Sequence, residues 1–322
     1  MKNEVIRQLS EDNLKDVMAI IGEVIPDMEG KGICQWDEIY PGEDIIAGDL
    51  KDKSAYGYFD NGELSAYISV NDNYPPEYDA IAWKITGGKS LIIHRLSVRP
   101  GKQGKGIAKM LVRFAEYYAA ENGYKTIRLD AFSKNPAALK LYEGMGYYKS
   151  GSCNFRKGLF FCFEKEMPVL RPAKNTDIDE ILNLFRETIA EICKNDYSEK
   201  QLEAWASSSK NRPKWLERIE KQYFLVAEKD SRIAGFGSLE NGDHLDLLYV
   251  RADLIKTGIG GILLHALEKE SAGRGKASLA TDASVTARSF FEKHGYKAIK
   301  EQKNNINGLE IMNYKMIKIF TP

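Results

Sequence analysis

Apolar residues along the chain fall into two kinds of spacing. Leu14, Val17, Met18 and Ile21 recur at intervals of three and four, the period of one helix face, and Ile178, Ile181, Leu182 and Phe185 repeat that stripe later. Ser10-Glu11-Asp12 and Asn175-Thr176-Asp177 precede the two stripes and offer side-chain oxygens to the open amides of a helix start. Short runs rich in β-branched and aromatic residues predict strands over 54–59, 64–70, 92–98 and 126–131. Matching runs fall at 224–228, 233–239, 245–250 and 277–281. Each half therefore reads as strand, helix, helix, three strands, helix, strand, a short helix and a closing strand pair. That order predicts an α/β (α+β) layer fold, a mixed and mostly antiparallel sheet covered by helices, built twice.

The doubling is visible in the residues themselves. Val5-Ile6-Arg7 is answered by Val169-Leu170-Arg171, the segment from Val98 to Ala108 by that from Val250 to Gly260, and Tyr142-Glu143-Gly144-Met145-Gly146-Tyr147 by Phe291-Glu292-Lys293-His294-Gly295-Tyr296. Order is kept while the spacing between partners shrinks, so one unit is duplicated with changes of loop length. The surplus of the first half is expected between Asn71 and Lys89, which holds Pro75-Pro76 and Gly87-Gly88. The junction near Met167-Pro168 is short, which predicts domains 1–167 and 168–322 packing as an internal pseudo-dimer in a monomeric chain.

Composition narrows the classes of partner. Lys plus Arg and Asp plus Glu both number 46 in 322 residues, so the chain has neither the basic excess of a nucleic-acid binder nor a polybasic membrane patch. No apolar run approaches the roughly 20 residues of a membrane helix. Cys34, Cys153, Cys162 and Cys193 form no CxxC pair, and they read as free thiols of a cytoplasmic protein with no metal site. Cys34 has no partner base to make it a nucleophile.

Chemistry enters with Gln103-Gly104-Lys105-Gly106-Ile107-Ala108, between an apolar strand and a helix whose Ile107, Leu111 and Phe114 share one face. Glycines let a ligand come close to the backbone, and the first amides of a helix have no internal partner, so the segment suits a phosphate or pyrophosphate. The P-loop pattern GxxxxGK[ST] is absent, and Lys109 breaks the dinucleotide pattern GxGxxG.

The spacing of Gln103, Gly106 and Ala108 after Val98-Arg99-Pro100 resembles the [R/Q]xxGx[G/A] loop of the GNAT superfamily of N-acetyltransferases. Downstream, Asn135-Pro136-Ala137-Ala138 with Tyr142, Gly146 and Tyr147 is similar to that family's second signature, NxxAxxxYxxxG[FY]. Asn135 fits an N-cap and Pro136 the first helical position. The resemblance implies a GNAT-like fold repeated twice and transfer of acetyl from acetyl-CoA to a primary amine of a small molecule or peptide, with coenzyme A as co-product. It implies that the loop from Gln103 to Ala108, with Asn135, holds the cofactor, and that the strand at Leu96, Ser97 and Val98 faces its thioester. It gives Tyr142 the role of proton donor to the leaving thiolate. His94, four residues before Val98, is a candidate general base, with Arg95 a weaker one. Trp36 and Tyr40 are candidates for an acceptor pocket.

In the second copy Leu248, Tyr249 and Val250, with Gly258, Ile259, Gly260 and Gly261, stand where a cofactor would bind, and Asp246 and Tyr197 where an acceptor would. Ile255 replaces Gln103, Thr257 replaces a glycine, Ser284 replaces Asn135 and Phe291 replaces Tyr142. Two readings follow: an acetyltransferase domain using other groups, as in a GNAT subgroup with phenylalanine at that point, or an acyl-CoA sensor or pseudo-dimer scaffold. The acceptor's identity lies beyond the motifs.

Overall fold

A computed structural model describes residues 4–320. The chain divides into two compact units, Met1–Met167 and Pro168–Pro322. The first runs β1 (Glu4–Gln8), α1 (Leu14–Gly30), α2 (Glu43–Lys51), β2 (Ala55–Asp60), β3 (Glu63–Asn71), β4 (Ser90–Val98), α3 (Ile107–Glu121), β5 (Thr126–Phe132), α4 (Pro136–Gly144), β6 (Tyr148–Phe155) and β7 (Gly158–Glu166). The second runs β8 (Val169–Pro172), α5 (Ile178–Ile192), α6 (Glu199–Ala206), α7 (Arg212–Lys221), β9 (Tyr223–Lys229), β10 (Arg232–Glu240), β11 (His244–Val250), α8 (Ile259–Gly273), β12 (Ser278–Ser284), α9 (Val285–Lys293), β13 (Lys297–Ile306) and β14 (Leu309–Ile319). Helix α7 is one element more than the sequence pattern predicts. Its apolar side buries Trp215 and Ile219.

Each unit folds into a seven-stranded sheet in the same order, β1-β2-β3-β4-β5-β7-β6 and β8-β9-β10-β11-β12-β14-β13. All pairings are antiparallel except the central β4–β5 and β11–β12. The predicted strands all form, within a few residues at their ends. The helix stripes do the packing expected of them: Val17, Ile20, Ile21 and Val24 of α1, and Ile181, Leu182 and Phe185 of α5, are buried.

The parallel pairs are short. The β4–β5 ladder stops at Ile92 opposite Arg128, although the strands run on to Val98 and Phe132. The β11–β12 ladder has only His244–Ala280 and Leu245–Thr281. Beyond those points the strands no longer pair, and in the first unit a cleft opens between them.

A charged device recurs in both cores. Lys165 Nζ on β7 donates to Glu116 Oε1 on α3 at 2.8 Å, and Lys318 Nζ on β14 donates to Glu268 Oε2 on α8 at 2.6 Å. Glu116 is fully buried and also meets Arg113. The surplus of the first unit lies between β3 and β4, at residues 72–89 against 241–243 in the second. This insertion is anchored from within: the backbone amides of Lys84 and Ile85 donate to the buried Glu164 carboxylate at 2.6 and 3.3 Å.

Candidate functional site

The first unit's cleft opens into a cavity of about 1190 Å³. Its floor is the diverging strand β4, where Leu96, Ser97 and Val98 line the cavity. Here β4 carries a bulge: Ser97 pairs with Tyr67 and His94 with Ser69, so Arg95 and Leu96 together face Ile68. Arg95 takes the left-handed φ of 51°, unusual for a residue with a side chain. Its guanidinium holds it there. Arg95 Nε and Nη2 donate to the two oxygens of Asp49 at 2.8 and 2.5 Å, and Asp49 also accepts from the Tyr67 hydroxyl. The pair is nearly sealed, with side chains 10% and 8% exposed.

At one end of the cavity, Gly104 and Gly106 adopt φ of 74° and 83° and lead into α3. A Cβ on either would meet nothing within 4 Å, so it is the backbone conformation that calls for glycine. No side chain caps α3, which leaves its first amides for an anion. Gln103 braces the turn by donating to Val98 O at 3.2 Å. Gln103, Gly104, Gly106, Ile107 and Ala108 line the cavity, while Lys105 is exposed outside its wall. Open backbone amides, small residues and the room beside them fit a pyrophosphate-bearing cofactor such as acetyl-CoA.

Asn135 Oδ1 caps α4 by accepting from Ala138 N at 3.1 Å, and α4 carries Tyr142 into the same cavity. Burial, with the negative charge of Asp130 adding to it, pushes the Tyr142 phenol well above its usual range. Trp36 and Tyr40 line the far end. His94 also lines it, yet its Nε2 donates to Asn73 O at 2.9 Å and Asn71 Oδ1 at 3.1 Å, leaving the lone pair on Nδ1. Burial, then the charge of Arg95, lowers its pKa to about 4, so the ring is neutral at physiological pH.

Sequence reasoning missed Asp130. This β5 residue lines the cavity, and its Oδ2 accepts from the Tyr78 hydroxyl of the insertion at 2.8 Å. Burial raises its pKa to about 6 despite that hydrogen bond. The available signal was an acid in the middle of the apolar run Leu129-Asp130-Ala131-Phe132. Between pH 4 and 6 the folded chain keeps a proton on Asp130 that the unfolded chain has already lost, so this group lowers stability as pH rises through that window. A shift from 3.8 to about 6 corresponds to about 3 kcal/mol at most. Asp130→Asn is expected to stabilise the protein by up to that amount at pH 7.5 and by little at pH 4, in urea melts. His94 acts with the opposite sign, favouring the folded state as pH rises from about 4 to 6.5, but it cancels between the two proteins compared. An equal gain at both pH values would refute the assignment.

The second unit repeats the framework with other contents. Gly258 keeps the left-handed start of α8 at φ 111°, and Lys256, at φ 64°, occupies the position of Gly104. Thr257 thus stands opposite Lys105, where the pairing of Val98–Ala108 with Val250–Gly260 puts it, so the expectation that it replaces a glycine fails: Lys256 is what replaces one. Ser284 caps α9 by accepting from Ala287 N at 3.1 Å, and Phe291 packs on Tyr296 at 5.2 Å as Tyr142 packs on Tyr147 at 5.9 Å. A Cβ on Gly260 would lie 3.5 Å from both the Phe290 ring and Val250, so apolar side chains close around the start of α8 with Ile259. Gly261 is buried in the first turn of α8. Leu248 packs with that group, and Tyr249 lies in an aromatic cluster with Phe185 and Phe236 at 4.9 and 5.3 Å. Asp246 accepts from Arg218 at 3.0 Å and Gln222 at 2.9 Å. The Tyr197 hydroxyl donates to Met312 O at 2.7 Å and accepts from Val285 N at 2.8 Å.

Comparison with known proteins agrees with this duplicated plan. The profile described as acetyltransferase (GNAT) family matches residues 24–147, and that described as acetyltransferase (GNAT) domain matches residues 193–318. The uncharacterized N-acetyltransferase YafP of Escherichia coli K12 is 29% identical over 141 residues, 44% of this chain and 88% of the relative. The rat N-acetyltransferase family 8 member 2 is 41% identical over 66 residues, 20% of this chain but only 29% of the rat protein's length. Among solved structures, a GCN5-related N-acetyltransferase from Rhodopseudomonas palustris is 38% identical, covering 48% of this chain and 96% of its own, with a TM-score of 0.47. With one such domain matched in each unit, the chain belongs to the GNAT family of acetyl-CoA-dependent acyltransferases and carries two of its domains.

Proposed function

We propose that the first unit is an N-acetyltransferase acting on a primary amine of a small molecule or peptide, and that the second unit does not carry this reaction. One observation supports this reading above the others: a single cavity in the first unit gathers the glycine turn, the bulged strand and Tyr142. Acetyl-CoA supplies an activated thioester whose acyl carbon an amine can attack. The amides opening α3 would hold its pyrophosphate, and the bulge at Arg95–Leu96 would present β4 backbone to the acyl oxygen. Tyr142 would give its proton to the departing sulfur. Since no covalent link to the chain is needed, holding both reactants side by side supplies much of the acceleration.

The second unit has Phe291 at the proton donor's place and Phe290 against the start of α8, which favours a scaffolding role for it. Titration calorimetry of the full chain is therefore expected to give one acetyl-CoA site, and a stoichiometry of two would overturn the asymmetry. Gly106→Asp places a carboxylate at the anion site with room for its Cβ but at a left-handed φ, so Gly106→Asn, strained alike, is its control; the aspartate should bind acetyl-CoA at least about tenfold more weakly than the asparagine, the equivalent of about 1.4 kcal/mol. A thiol-release assay of the full chain with acetyl-CoA against an amine panel tests the activity itself.

A further inference from the structure

The insertion at 72–89 distinguishes the two units, and what it covers is a carboxylate. Asp130 and Asp282 occupy equivalent places, each four residues after the one that opens the pairing with β7 or β14. In the second unit, where residues 241–243 make the whole connection, Asp282 is 41% exposed and accepts from Gln302. In the first, Tyr78 of the insertion is 1% exposed, is braced by Trp83 at 5.2 Å and donates to Asp130.

Lys31 and Lys102 are closed on Asp27 and Asp60, and Lys109 lies on α3 beside the glycine turn, whereas around Asp130 the charges are unevenly spent. Arg95 is closed on Asp49, and Arg156 and Lys157 are both closed on Asp37 at 2.6 Å. Asp130 and Glu77 line the cavity with no Lys or Arg bridged to either among the described residues. The groups facing Asp130 are Tyr78 and Glu77 from the insertion, Arg95 from β4, Tyr142 from α4, and the thiols of Cys153 and Cys162 from β6 and β7. Trp36, Phe155 and Phe160 give the cavity an aromatic wall beside aliphatic residues such as Met28 and Ile33. An apolar pocket with unspent negative charge selects a cation.

We propose that Asp130, held by Tyr78, receives the acceptor's ammonium group and takes its proton, so that the acceptor is a cationic primary amine whose carbon skeleton lies on the aromatic wall. This rests on the reading of the first unit as the acetylating one. The acceptor nitrogen gives one proton to the Asp130 carboxylate and becomes a neutral nucleophile. Its bond to the acyl carbon forms as the carbon–sulfur bond breaks. Tyr142 protonates the sulfur and is refilled by the second proton the nitrogen sheds, and Asp130 returns its own proton to solvent. The raised basicity of Asp130 narrows the gap to an alkylammonium, whose pKa is about 10.4, while leaving the carboxylate mostly ionised at pH 7.

The test uses the full chain labelled with carboxyl-¹³C aspartate. One resonance should titrate near pH 6, vanish in Asp130→Asn, and move to higher pH in Tyr78→Phe, which removes a hydrogen bond to the ionised form. With coenzyme A present, phenethylammonium should lower that midpoint while uncharged N-acetylphenethylamine leaves it in place. With the fastest amine of the panel, Asp130→Asn should reduce kcat/KM by about 10²-fold or more and lose the acidic limb near pH 6, with Asp130→Glu restoring a limb. No aspartate titrating above pH 5, no shift with phenethylammonium, or an acidic limb that survives in Asp130→Asn would each overturn the proposal. Absence of thiol release with every amine would instead sink the acetyl-transfer reading, and the carboxylate titration would still report on Asp130.

Discussion

Tyr142→Phe is expected to lower kcat by about 10²-fold or more while the Kd for acetyl-CoA changes by less than about twofold. The hydroxyl sits at the end of α4 inside the cavity, and its removal leaves a ring of nearly the same volume among Tyr147 and Phe163. In the reading proposed above, binding rests on the amides of the glycine turn rather than on this hydroxyl, so affinity should survive. The phenol is held protonated by burial and by the Asp130 charge, so it can act only as a donor at neutral pH. Its transfer to a thiolate is uphill, which ties it to the moment the carbon–sulfur bond opens. The substitution also creates in the first unit what Phe291 already provides in the second. Unchanged turnover in single-turnover kinetics would remove Tyr142 from the reaction and return attention to the second unit.

Asp49→Ala should have the largest effect on stability. The carboxylate lies on α2, 8% exposed, and satisfies both Arg95 and the Tyr67 hydroxyl. Deleting it strands a guanidinium in a sealed environment, which costs about 3–5 kcal/mol. For a unit of this size that is a fall of roughly 10 °C in Tm. Activity should drop as well, because Arg95 would lose what keeps its backbone in the left-handed region where the bulge of β4 forms. Thermal melts and thiol release measured on the same protein would separate the two effects. A Tm within about 2 °C of the parent would show that the pair is not the clamp described here.

The framework was legible because it is local. Strand alternation, helix stripes, the Asn135 cap, the glycine turn and the unequal connection between β3 and β4 are all patterns within a few residues. The first unit's candidate cofactor residues follow from such motifs and line one cavity, Lys105 excepted, whereas the second unit's candidates line none of it. What the pattern hid depends on partners far apart in the chain. Asp49 meets Arg95 across 46 positions, Tyr78 meets Asp130 across 52, and Lys165 meets Glu116 across 49. No periodicity specifies which buried carboxylate a distant arginine or tyrosine will find. The contents of the second cleft were hidden for a related reason: Phe290 reads as a core residue, and only the fold puts its ring against Gly260.

The brevity of the central parallel ladders has a mechanical consequence. In the first unit three residue pairs make the whole strand ladder between the four-stranded leaf β1–β4 and the three-stranded leaf β5–β7, and in the second unit two pairs do so. Every other seam in the sheets is longer, so this line is the natural crease of each unit. Small angular opening along it would widen the cleft with little loss of hydrogen bonding, and the insertion tied to Glu164 on the far leaf would travel with that leaf. The sheet is thus two plates with their narrowest seam at the cleft, and the helices packed across that seam, α3 and α8, set how far it can open.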